Sequence, residues 1–102
     1  MSDLEVVMIV REVSLKVAPE QQAEFASFWT QEYRQAMSTM PGFLSARLLK
    51  HADSKEELQM ILEFRSEEAA AAWRASPEHG RLGPMLKAFS PTVSVRVLTP
   101  LA

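Results

Sequence analysis

LQMILEFRSEEAAAAWRASPEH, residues 58–79, changes its hydrophobic period part-way along. Up to Phe64, the apolar side chains Leu58, Met60, Leu62 and Phe64 alternate with Gln59, Ile61 and Glu63, which is the two-residue repeat of a strand. Ser66 is then placed to cap a helix. Glu67 and Glu68 fall in its first turn, where negative charge suits the positive end of the helix dipole. The alanine run and Trp73 carry this helix to about Ala75. Ser76-Pro77-Glu78 restarts it, with serine as the cap and proline at the first helical position. Gly80, Gly83 and Pro84 are expected to break the restarted helix into short pieces ending near Phe89. Beyond Pro91, residues 92–98 read as a last strand with Val93, Val95 and Val97 on one face.

Reading towards the N-terminus, residues 51–55 (HADSK) are polar enough for a hairpin loop. They make the strand expected over 43–50 an antiparallel neighbour of the strand from Leu58. Pro41-Gly42 ends a long helix that starts at Pro19-Glu20. Phe25, Phe28, Trp29, Glu32, Ala36 and Met40 recur on one face of that helix. Ahead of it, residues 6–17 (VVMIVREVSLKV) alternate, with Val7, Ile9, Val13, Leu15 and Val17 on one side and Glu12, Ser14 and Lys16 on the other. The order β-α-β-β-α-β predicts one α+β domain over residues 1–102, with a ferredoxin-like antiparallel sheet and both helices on one face. The opposite face carries Met8, Val10, Ile61 and, depending on register, Leu44 or Leu49. Glu12, Arg47, Glu63 and Arg96 are mixed among them. A second copy could cover this face, with charges pairing across a two-fold axis; a solvated sheet face is the other reading.

Composition removes several function classes. Eleven basic and thirteen acidic residues give a net charge of -2, no footprint for a phosphate backbone or an anionic lipid surface. No apolar run is long enough to span a membrane. The chain has no cysteine, which removes disulfides, thiolate metal sites and cysteine nucleophiles and favours a cytoplasmic setting. The two histidines, His51 and His79, lack the spacing of metal ligands, so no metal is expected. With only Gly42, Gly80 and Gly83, no glycine-rich phosphate loop can form.

A few residues carry chemistry. His79 lies in the first turn after Ser76-Pro77, where the helix N-terminus disfavours an imidazolium. It should therefore be neutral near pH 7 and able to accept a proton, although a surface or capping role fits the same position. Arg11 falls on the otherwise apolar face of the first strand and needs a carboxylate or a ligand there. Glu32 is the candidate partner, unless a bulge turns the arginine outward. Trp73, on an alanine-rich helix, reads first as a core anchor. Phe25, Phe28, Trp29 and Tyr33 form an aromatic cluster that could be core or pocket wall.

MPGFLSARLL (40–49) and LEFRSEEAAAAWRASPEH (62–79) resemble the antibiotic biosynthesis monooxygenase superfamily. The similarity lies in a Pro-Gly turn opening the second strand, an aromatic residue with Ser-Glu-Glu-Ala opening the second helix, and a Trp-x-x-Ser-x-x-His ending. Pro19-Glu20 with Phe25 and Phe28 resembles the family's first helix. The resemblance implies a homodimer forming an α/β barrel, with a pocket between helices and sheet in each subunit. It also implies activities ranging over cofactor-free oxidation of phenols to quinones by O₂, oxidative haem breakdown, and isomerisation of small metabolites. The haem-degrading branch uses an Asn on its first strand, a Trp on its second helix and a later His. Trp73 matches the Trp. The Asn place falls near Arg11 or Val13, the chain has no asparagine, and His79 comes about a helical turn early. The quinone-forming branch of actinorhodin synthesis places Trp and Tyr where Phe64 and Ala70 stand.

What remains is an expectation of a cofactor-independent monooxygenase acting on a small aromatic or quinol-like substrate with O₂. His79 and Arg11 would be catalytic, and Trp29, Tyr33, Phe64 and Trp73 would be the substrate-binding walls. A haem-binding or haem-degrading enzyme with an altered triad, and a non-catalytic small-molecule-binding domain of the same fold, are the alternatives.

Overall fold

Residues 7–102 are described by a computed structural model. Four strands, β1 (Ile9–Lys16), β2 (Phe43–Lys50), β3 (Glu57–Phe64) and β4 (Val93–Leu98), form one sheet in the order β2-β3-β1-β4. Every neighbouring pair is antiparallel. This is the expected ferredoxin-like α+β arrangement. The expected first strand starts late: Val6 lies outside the described residues, Val7 is exposed, and the strand opens at Ile9.

Register turns the period-two sequence into rows across the sheet. Ala46, Leu62, Arg11 and Val97 stand side by side, and Leu48, Met60, Val13 and Val95 form the next row. These rows face the helices, and Ile9, Val13, Leu15, Leu58, Met60, Leu62 and Phe64 are buried there. β1 pairs regularly on both sides through Arg11, so no bulge turns that side chain outward. The irregularity lies in β2, where Phe43 pairs with Phe64 but Ser45 pairs with Glu63. Leu44 is the extra residue of this bulge. Leu49, in regular register beside Gln59, is the leucine of the outer face. On that face Arg96 donates to Glu12 at 2.8 Å and Ser45 to Glu63 at 2.6 Å, so these two carboxylates already have partners within the chain.

The first helical segment runs from Pro19 to Ser38 in four pieces. They are a 3₁₀ turn (Pro19–Gln21), α1 (Gln22–Phe28), a π-helical turn (Trp29–Tyr33) and α2 (Arg34–Ser38). The Arg34 N–H bonds to the Trp29 carbonyl, five residues back. This wider turn changes which residues face the core. The plain 3.6-residue period puts Glu32, Ala36 and Met40 there; the fully buried residues after Trp29 are Tyr33 and Met37, while Ala36 and Met40 are partly buried against the core and Glu32 is exposed. Glu32 points to solvent and lies 3.7 Å from Arg81. It is not the partner of Arg11.

α3 (Glu67–Arg74) starts as expected, with Ser66 accepting from the Ala69 N–H. Buried Ala70 lets the helix sit close to the sheet. α4 (Pro77–Phe89) is one helix and not a set of short pieces. Ser76 accepts from the His79 N–H at its start, and at its end Ser90 Oγ accepts from the Lys16 N–H, tying it to β1. Leu82 and Leu86 are buried one turn apart on the core side. Their burial keeps the helix continuous through Pro84, whose missing N–H loses one intrahelical bond.

Gly42 joins α2 to β2 at φ 84°, a conformation that L-residues adopt at a cost. A Cβ there would stand 2.5 Å from Ala69 Cβ on α3. Gly42→Ala is therefore expected to lower unfolding free energy by about 2–4 kcal/mol, through backbone strain and overpacking together. Urea denaturation monitored by tryptophan fluorescence measures it; a loss below 0.5 kcal/mol (about a third of one factor of ten) would mean that the turn relaxes freely.

Candidate active site

Tyr33 reaches the space between helices and sheet because the π turn points it there. Its ring meets Trp73 edge-on at a centroid distance of 5.5 Å and 88°. Trp73 in turn meets the His79 imidazole at 5.3 Å and 85°, and Tyr33 lies 6.5 Å from the same imidazole. Edge-to-face packing at these distances fixes all three rings. Trp73 is 1% exposed, so its core-anchor role and its place in the site are the same fact.

This ring cluster closes one side of a cavity of about 110 Å³. The sheet forms the floor through Val13, Met60 and Leu62, and Val93 and Val95 continue it towards the β4 edge. Charge comes from Arg11 on β1, Arg74 at the end of α3 and Lys87 on α4. Along α4, His79, Gly83 and Lys87 follow one another at four-residue spacing. These three also border an outer groove of about 560 Å³ with Gly80, Pro84 and Ala88. Cavity and groove thus meet at His79.

Four of the six expected site residues, Arg11, Tyr33, Trp73 and His79, line this one cavity. Trp29 and Phe64 do not. Trp29 is buried with its Nε1 donating to Met60 Sδ at 2.9 Å, and Phe64 is fully buried against Phe43. Both belong to the core behind the cavity. Arg74 and Lys87 were missed by the sequence reading. A continuous α4 would have revealed Lys87, because it puts residues 79, 83 and 87 on one stripe. Arg74 gives no such signal, since an arginine in the last turn of a helix commonly just complements the dipole.

Protonation follows from these surroundings. Burial, and then the positive charges of Arg11, Arg74 and Lys87, hold the His79 imidazole below the usual histidine range. It is neutral near pH 7 and free to take up a proton. Burial pushes the Tyr33 hydroxyl above its ordinary range, against the smaller opposing effects of Trp73 and then Arg11, so it stays protonated as a donor. Arg11 is lowered by burial and by Arg74, yet a guanidinium remains a cation. Among the described residues lining the cavity, His79 is the one group that can act as a base near neutrality. No group of three or more His, Cys, Asp or Glu side chains among the described residues could hold a metal ion. Nor is any of their helices long and apolar enough to cross a membrane.

A model of the family "antibiotic biosynthesis monooxygenase" matches residues 8–82, which include β1 to β3, the Pro-Gly turn, Trp73 and His79. Among solved structures, the chain is similar to SnoaB from Streptomyces nogalater, a cofactor-independent oxygenase. That likeness has 22% identity and a TM-score of 0.82, covering 94% of this chain and 95% of that one. Rv0793 from Mycobacterium tuberculosis is similar at 21% identity and a TM-score of 0.78, covering 93% and 96%. A conserved protein from Methanosarcina mazei matches at 16% identity and a TM-score of 0.80, covering 91% and 92%. At these identities the solved structures show a shared fold. No curated protein matches the chain in sequence.

The depressed proton affinity of His79 has a measurable consequence. In an NMR titration, the His79 imidazole should titrate below the ordinary histidine value of 6.5, and Arg11→Leu should move it upward. The unfolded chain binds this proton at a higher pH than the folded one. Stability from this group is therefore present above about 6.5 and is lost as pH falls through the folded value. His79→Gln should flatten that part of the stability profile. A His79 titration at or above 6.5 would show that the cavity does not exert this field.

Proposed function

This chain belongs to the antibiotic biosynthesis monooxygenase family, and from that premise we propose that it is a cofactor-independent oxygenase of a small phenol or quinol. One observation carries the reading: Arg11 and His79, far apart in sequence, border a single cavity walled by Tyr33 and Trp73. His79 takes the phenolic proton, and Arg11 stabilises the phenolate. The electron-rich anion then reduces O₂, with a C–O bond forming at a ring carbon. The imidazolium returns a proton to give a hydroperoxide. Loss of water leaves the quinone, with one oxygen atom of O₂ in the product and the other in water. The substrate supplies all the electrons, so the step needs no cofactor.

Size constrains the substrate. An apolar cavity of roughly 150 Å³ accommodates a benzene ring. At about 110 Å³, the inner cavity holds part of a ring and leaves the remainder in the groove beside α4. A porphyrin does not fit inside, and the chain has no asparagine for the haem-degrading arrangement. A non-catalytic binding domain would keep the cavity and show no oxygen uptake. Absence of cysteine suits a cytoplasmic enzyme of this type.

The assembly belongs to the same proposal. Leu49 is 41% exposed and lies with Val10 and Ile61 on the outer sheet face. A second copy would cover this surface as a barrel. Arg47 is an exposed cation of that face whose side chain makes no ion pair or hydrogen bond among the described residues. Light scattering at micromolar concentration should give twice 11.5 kDa, and Arg47→Glu should weaken the assembly. A monomer at that concentration sinks the barrel.

Oxygen uptake with dihydroxyarenes tests the chemistry. His79→Ala should lower turnover of an accepted phenol by about 10²-fold or more with the fold intact by circular dichroism. Full activity in that variant would reduce His79 to a helix-start residue and assign the proton to water or to a substrate already ionised.

A further inference from the structure

The cavity gathers more positive charge than phenolate stabilisation needs. Arg74 is close enough to Arg11 to disfavour the charge on Arg11, and Lys87 stands on the third wall. No Asp or Glu lines the space. Arg74 Nη2 donates to Glu67 at 3.1 Å, on an exposed carboxylate that does not line the cavity. Arg74 Nη1 is buried and has no hydrogen-bond partner among the described residues. The guanidinium as a whole is 35% exposed, yet a donor nitrogen shut away from water without an acceptor is unfavourable. An anion delivered by a ligand would supply that acceptor and offset the positive charge around Arg11.

We propose that Arg74, with Lys87 beside it, forms a subsite for a carboxylate on the substrate, so that the ligand is an aromatic acid bearing a hydroxyl group. This rests on the reading of the cavity as the substrate site, and it names the substrate's chemical class. The guanidinium fork offers a directed donor pair that matches the two oxygens of a carboxylate. Arg11 is left for the ring hydroxyl near His79. The apolar floor of Val13, Met60 and Leu62 receives the ring edge, and the Trp73 and Tyr33 rings limit its tilt. The α4 groove takes any further substituent: a Cβ at Gly80 would meet nothing within 4 Å, and one at Gly83 would meet only His79 Cε1 at 4.0 Å.

Calorimetric titration of the full chain with 2-, 3- and 4-hydroxybenzoate, each against its uncharged methyl ester, tests the subsite without requiring turnover. At least one acid is expected to bind about 10-fold or more tightly than its ester. That preference should shrink strongly in Arg74→Gln, fall partly in Lys87→Gln and survive partly in Arg74→Lys, which keeps the charge without the fork. The variants are on partly exposed positions, and circular dichroism confirms that they fold. Esters binding as well as acids, an unchanged preference in Arg74→Gln, or no binding of any acid at millimolar concentration would each overturn the subsite. Acid binding without oxygen consumption would instead leave the subsite standing and remove the oxygenase reading.

Discussion

The π-helical turn at Trp29–Tyr33 adds the residue on which the site geometry depends. With it, Phe25, Trp29, Tyr33 and Met37 stay on one face at four-residue spacing, and all four are buried. An uninterrupted α-helix would drift by about 40° at each such step, and the wider turn keeps Tyr33 and Met37 in line with Trp29. Tyr33 packs on Trp73, and Trp73 packs on His79, so the imidazole's position is set through two aromatic contacts by a turn on another helix. The same phase shift moves Glu32 out to Arg81. It thereby removes the one carboxylate that the sequence offered to Arg11 and leaves the cavity without internal counter-charge.

Burial of its ring first keeps His79 neutral, and the missing counter-charge works in the same direction: three cations around one apolar floor disfavour a fourth. The position at the start of α4, where the sequence already argued for a neutral imidazole, works the same way. Arg11 is not in the core by accident of pattern. It occupies a regular register position between Leu62 and Val97, near the exposed β4 edge where the helices leave the sheet only partly covered. A charged side chain is tolerable there because water and ligand can reach it.

Much of this architecture was readable in advance, and for definite reasons. Period-two alternation in β1 and β3 fixed which residues are buried, because a strand has only two faces. Ser66 and Ser76 announced both helix starts, since each side chain accepts a backbone N–H that would otherwise lack a partner. Leu44 and Leu49 were ambiguous because a bulge leaves no mark in composition, and the phase of β2 depends on it. The continuity of α4 through Gly80, Gly83 and Pro84 was hidden for a different reason. Local propensity argues against it, and only the burial of Leu82 and Leu86 outweighs that. A broken α4 conceals the stripe of His79, Gly83 and Lys87, and with it the cation that α4 brings to the cavity. Trp29 and Phe64, as aromatic residues, suit both pocket and core; burial by neighbouring side chains puts them behind the cavity, and a sequence does not display that.

The sheet and the site draw on different parts of the molecule. The β2–β3 side is covered by α1, the π turn and α2, and Arg34 Nε donates to the Ala46 carbonyl to close that end. There Ala46, Leu58 and Phe64 are buried. On the β1–β4 side α4 stands over valines, and Val95 and Val97 remain exposed. Incomplete covering leaves apolar area that water disfavours, and it stabilises whatever ligand removes that area from solvent. The affinity for a ring thus comes from an under-packed edge, while its orientation comes from groups held by the well-packed half. Tyr33 belongs to both, being buried on the helix that closes one side and edge-on to the tryptophan that borders the other.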